Sequence, residues 1–188
     1  MTEDDQSAAD AEELAELHER AIIWDRVRAA FSWRVRPVGR LTDVCSPIAH
    51  DVSGTLSGKA WWEVGPRELQ RIRIDINTLR PDAFWYYFRS FAYDSLVVEG
   101  TSDDVGGWMV SALRPPGQRP SSGFDAKVAA LTEEERRCVR HFVDWYVGQN
   151  TLTAPDALLA FWARPEGLTT DARERSGESE AEAGGAVV

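Results

Sequence analysis

Apolar positions along this chain fall mostly at three- and four-residue steps, the spacing that lines one face of an α-helix. Leu14, Leu17, Ala21, Trp24 and Phe31 form one such stripe, widened by Ile22, Ile23 and Val27. The pattern predicts an amphipathic helix over residues 10–33, with Pro37 and Gly39 beyond its end. "AHDVSGTL" reads as a short helix begun near Asp51. Pro66 suits the first turn of "PRELQRIRIDI", where Leu69, Ile72 and Ile76 share a side. The alternation in "RIRIDI" also fits a short strand; helix is the preferred reading. Pro81 and Asp82 open a further helix, and Phe84, Trp85, Tyr86, Tyr87, Phe88, Phe91 and Tyr93 follow. At 100° per residue those rings cover nearly the whole circumference, which predicts a central helix buried all round. "DVGGWMVSAL" is a short helix weakened by its glycines, and residues 114–123 read as a loop. Thr132 and Glu135 form a capping box before a stripe of Val139, Phe142, Val143 and Tyr146. Thr153 is placed to cap a last helix burying Leu158, Phe161 and Trp162. The result is a mainly α, single-domain helical bundle of five to seven helices over residues 10–163. Residues 1–9 and 164–188 are expected to be disordered acidic ends.

Charge refines this picture through its location. The chain of 188 residues has a formal net charge of −10, from 31 acids and 21 bases. Residues 1–16 hold seven acids and no Lys or Arg, and residues 164–188 hold six acids and three arginines. That leaves 18 acids and 18 bases in residues 17–163, a formally neutral centre. The acidity of the ends favours solubility over recognition. Arginine outnumbers lysine 19 to 2, which reads as coding bias before it reads as anion binding. Cys45 and Cys138 have no zinc-type spacing, and His18, His50 and His141 are scattered. No apolar run reaches the ~20 residues that span a bilayer. The acidic "MTEDDQSAAD" lacks the apolar core of a signal peptide. A cytoplasmic protein with reduced thiols is the expectation.

The candidate chemistry is sparse. "GTLSGKA" (Gly54–Ala60) fails as a phosphate-binding loop. Three residues separate its glycines where four are needed, and Ala60 replaces the magnesium-binding Ser or Thr. His50 and Asp51, with Lys59, Glu63, Tyr86 and Tyr87, form a candidate polar site for acid–base work. Against it, Asp51 is equally suited to cap a helix. Arg20, Arg26, Arg28, Arg34, Arg36 and Arg40 make a basic run suited to phosphates, which the preceding acidic segment can neutralise. "RPPGQRP" fits a polyproline ligand less well than a connecting loop. No nucleophile elbow or metal spacing is present, and no cofactor is expected.

Four pieces together carry a resemblance. "GKAWWEV", "REL", "LRPDAFWYYF" and "LTEEERRCV" resemble the pattern of an uncharacterised bacterial family known as a domain of unknown function, over about residues 12–162. That pattern has Gly-Lys/Arg-x-Trp-x-Glu/Asp, a Glu-Leu helix, a Leu-Thr-Pro-Glu-Ala-Phe-x-Tyr-Tyr helix and Leu-Thr-x-Glu-x-Arg. Here Arg80 stands where the pattern has threonine, removing a side-chain cap before Pro81. The resemblance implies a fold, no established catalytic residues, and an accessory, immunity or regulatory role by analogy. It puts the required tryptophan at Trp61, so Trp61 is expected in the core and Trp62 in the open. The leading expectation is a non-catalytic protein-interaction module with Trp62, Trp85 and Trp108 as anchors. Its partner would be another protein rather than nucleic acid or a membrane. The alternative is a small enzyme or ligand-binding protein, with a pocket beside the aromatic helix where Lys59, Glu63, Tyr86 and Tyr87 converge.

Overall fold

The computed structural model describes residues 3–98, 104–116, 122–150 and 155–164. Helix α1 runs Glu3–Ala30, α2 Pro47–Leu56, α3 Pro66–Ile72 and α4 Pro81–Val97. They are followed by α5 Asp104–Ala112, α6 Ser122–Ala129, α7 Glu133–Gln149 and α8 Pro155–Ala163. Two 3-10 turns, Trp61–Glu63 and Ile76–Thr78, sit on either side of α3. The described residues hold no strand beyond a single bridge between Thr42 and Leu79.

Helix α4 is the axle, packed by α1, α3, α5, α6 and the turn at Trp61–Glu63. Every residue from Ala83 to Ala92 is buried, as the unbroken run of apolar rings predicts. Burying a Phe-sized side chain stabilises by roughly 1.5–3 kcal/mol, so this helix dominates the core. Three of its polar side chains find backbone carbonyl partners on the way in. Trp85 Nε1 donates to Lys127 O at 2.7 Å, and Tyr87 Oη donates to Leu56 O at 2.8 Å. Ser90 Oγ donates to Trp61 O at 2.7 Å. Each bond offsets a desolvation cost that would otherwise disfavour burial.

Helix α7 begins with the anticipated capping box: Glu135 N donates to Thr132 Oγ1, and Thr132 N donates to Glu135 Oε2. Glu135 has a second task. Fully buried, it accepts from Arg34 Nε at 2.6 Å and Arg34 Nη2 at 2.8 Å. This fork clamps the exit of α1 onto the start of α7. Removing one partner of such a buried pair typically costs about 3–5 kcal/mol, because the other charge is stranded.

Several expectations need correction. Helix α1 starts at Glu3, inside the stretch read as disordered, and only its second half enters the core. Ile23, Val27, Ala30 and Phe31 are buried, whereas Leu14, Leu17 and Ile22 are exposed. The stripe seen in the sequence is therefore partly an outer face. Asp51 is not a cap: α2 begins one turn earlier, with Ser46 Oγ accepting from Ala49 N and Pro47 opening the helix. Helix α6 was not anticipated and begins inside the stretch read as a loop. Helix α4 starts without a side-chain cap, as Arg80 implied. The tail from 165, residues 117–121 of the loop and Thr153 lie outside the described residues.

Candidate functional site

The six polar candidates divide. His50, Asp51 and Lys59 line one open groove of about 880 Å³ between α2 and α3, with Arg67, Glu68 and Arg71. Glu63, Tyr86 and Tyr87 do not reach it. Within the groove two ion pairs form. Arg71 Nη2 and Nε donate to Asp51 at 2.5 and 3.3 Å. Lys59 Nζ donates to Glu68 at 3.0 Å, which holds the Glu68 carboxyl below its usual range. Paired and largely solvated, these groups mainly hold α2 and the segment just after it against α3. Such pairs contribute about 0–1 kcal/mol each.

Glu63 is exposed and accepts from Ala60 N at 2.6 Å, closing the turn that carries the two tryptophans. The tyrosines fix the same turn from beneath. Tyr86 Oη accepts from Trp61 N at 3.3 Å. Tyr87 Oη lies within 3.0 Å of Lys59 O and is pushed up to about 12, chiefly by burial. Lys59, Glu63, Tyr86 and Tyr87 therefore do not converge on a reacting centre. They build a platform for "GKAWWEV".

That platform presents an aromatic strip. Trp62 is 70% exposed, while Trp61 is half-buried and packed on the core, the predicted order. Trp62 stands edge-on to Trp61 at 5.6 Å, Trp61 to Trp24 at 5.7 Å, and Trp24 to Tyr93 at 5.1 Å. The Arg89 guanidinium lies 5.1 Å from the Trp61 ring and 4.8 Å from the Tyr86 ring, and Arg89 Nη2 donates to Arg34 O. A buried cation stacked on two rings stiffens the strip from below. The strip continues over exposed Val97 on α4 and over Leu17 and Leu14, which lie on the Trp24 side of α1. Of the three expected anchors only Trp62 is open: Trp85 is 1% exposed and belongs to the core, and Trp108 is half-buried. Trp24 and Tyr93 were missed. Neither stands out locally, since α1 and α4 are joined only by tertiary packing.

The basic run is spent within the molecule. Arg20 donates to Leu96 O, Arg36 to Gly58 O and Arg40 to Val44 O. Arg28 pairs with Asp25, Arg34 with Glu135, and Arg26 donates to His141 Nδ1 at 3.1 Å. Among the described residues no group of three or more His, Cys, Asp or Glu is placed to hold a metal ion. No described helix is long and apolar enough to cross a membrane.

Fold and surface together define a helical bundle with an aromatic-rich core and an aromatic face. The model of a family of unknown function, DUF6714, matches residues 45–165, and the chain belongs to that family. No curated protein and no solved structure matches significantly.

Proposed function

We propose that this protein is a non-catalytic interaction module whose docking face is the strip Trp62–Trp61–Trp24–Tyr93 and its apolar extension along α1. The observation that carries the reading is that strip: four rings in edge contact, open at Trp62 and Tyr93. Trp and Tyr are the residues most often found as interface anchors. Two elements of recognition, apolar area and charge, lie side by side here. The first sixteen residues of α1 hold seven acids and no Lys or Arg, and they flank Leu14 and Leu17. The partner that fits is a protein surface with an apolar centre and a basic rim. A second copy of this chain fits poorly, because it would set two acidic helices against each other. The immunity or regulatory role implied by the family resemblance belongs to this reading.

The test is site-specific photocrosslinking in native cells from positions 17, 62 and 93, with position 50 in the α2–α3 groove as control. The three face positions are expected to capture one common species through a Lys/Arg-rich segment. Trp62→Ala should weaken its binding by about tenfold or more. Capture of this same chain, or capture from position 50 alone, would overturn the proposal.

A further inference from the structure

Only two lysines occur in this chain, and they live in different worlds. Lys59 is part-exposed and paired with Glu68. Lys127, on α6, is 4% exposed; among the described residues no carboxylate is in ion-pair contact with it, and Asp43 is the acid whose charge reaches it, favouring the ammonium but outweighed by burial. Its Nζ donates to Asn77 O at 2.8 Å and lies 4.7 Å from the centre of the Phe84 ring. It also lines a cavity of about 250 Å³ with Asn77, Ser111, Arg114 and Phe124.

We propose that Lys127 is a carbonyl-reactive amine, and that the cavity admits a small aldehyde carrying an anionic group. The parts have separate tasks. The Asn77 carbonyl holds one N–H, which fixes where the nitrogen lone pair can point. Exposed Arg114, at the cavity wall, supplies the positive charge that orients an anionic substituent. In the reaction, the Nζ lone pair adds to the carbonyl carbon and a C–N bond forms. The two N–H protons pass to the carbonyl oxygen, which leaves as water, and the product is an imine. Once protonated, that imine is a cation beside the Phe84 ring, whose face stabilises positive charge. Burial supports the same assignment by lowering the Lys127 ammonium to about 8, so about a tenth of the amine is neutral at pH 7. A cavity of this size suits an aldehyde of two to four carbons, roughly, rather than a large cofactor.

The experiment uses the intact protein, glyoxylate as probe and cyanoborohydride to trap the imine, with peptide mapping of the adducts. At pH 7 Lys127 should be labelled at least about tenfold faster than Lys59, with a pH midpoint near 8. The Lys127-to-Lys59 labelling ratio should be higher with glyoxylate than with uncharged acetaldehyde, and Arg114→Gln should erase that difference. Because the mapping is done on the wild-type chain, the result does not depend on whether a Lys127 variant folds. Equal labelling of the two lysines, or labelling of Lys127 only after urea unfolds the chain, would overturn the proposal. Equal Lys127-to-Lys59 ratios for the two aldehydes would remove the anionic group from it.

Discussion

Trp61 and Trp62 are neighbours in sequence and opposites in environment. A 3-10 turn places successive side chains about a third of a revolution apart, so one ring turns inward and the other outward. Trp61 is held by its own backbone as much as by its ring, since Tyr86 and Ser90 bind its N–H and C=O. Trp62 touches only Trp61 among the described aromatic rings. Their substitutions should therefore separate. Trp61→Ala is expected to lower stability by about 2 kcal/mol, below the full cost of a core tryptophan because Trp61 is half-buried. Trp62→Ala should stay within about 0.5 kcal/mol of wild type. Urea denaturation with unchanged slopes gives both numbers. Equal losses from the two variants would mean that Trp62 is structural and not a free anchor.

Two glycines show how the same residue type serves opposite ends within elements. Gly54 lies inside α2 with nothing near where a Cβ would stand. Gly106 lies inside α5, where a Cβ would come within 2.5 Å of Tyr146 Cε2 and 2.9 Å of Ser95 Oγ. The Tyr146 ring cannot step aside easily, because it is 6% exposed and packs on Phe142 and Trp145. Gly106 is thus what lets α5 approach α7 and α4. Alanine gains about 1 kcal/mol over glycine in a helix interior by propensity. Gly54→Ala should realise about 0.5–1 kcal/mol of that. Gly106→Ala should lose about 1–3 kcal/mol net, from overpacking that exceeds the propensity gain. Thermal melts of the two variants should move in opposite directions. A stabilising Gly106→Ala would show that the α5–α7 contact is looser than described.

For the molecule as a whole, what the sequence revealed depended on how local each cause is. Pro66, Pro81 and the Thr132–Glu135 box mark helix starts by their own chemistry, so α3, α4 and α7 were legible. Ring density alone identified α4 as central. Helix α6 begins in a stretch of Pro, Gly and Ser that reads as a loop, and it is tied to distant parts of the chain where Trp85 Nε1 donates to Lys127 O and Lys127 Nζ donates to Asn77 O. The basic run looked like a patch because four of its six arginines have partners distant in sequence: Arg20 at Leu96, Arg26 at His141, Arg34 at Glu135 and Arg36 at Gly58. The same long-range packing sets the alkaline behaviour of the fold. Lys127 titrates near 8 when folded, against 10.5 ordinarily. Between those values the unfolded chain binds a proton that the folded one does not, so stability rises with pH across that window. Below about 8 both states hold the proton, and the cost of burying the charge is present in full. Tyr87 acts in the opposite sense: raised from 10.0 to about 12, its unfolded form ionises first, and stability falls with pH above 10. The Cys138 thiol, pushed up from 9.0 chiefly by burial, adds a second fall that begins near pH 9, so the opposed slopes place the stability maximum between about pH 9 and 10. Lys127→Met should flatten the rise, and Tyr87→Phe the fall, in urea titrations from pH 7 to 11. The Lys127 contribution across its window is on the order of 3 kcal/mol. A wild-type-minus-Lys127→Met difference that stays constant from pH 7 to 10.5 would show that the Lys127 ammonium is no more difficult to hold in the fold than in water.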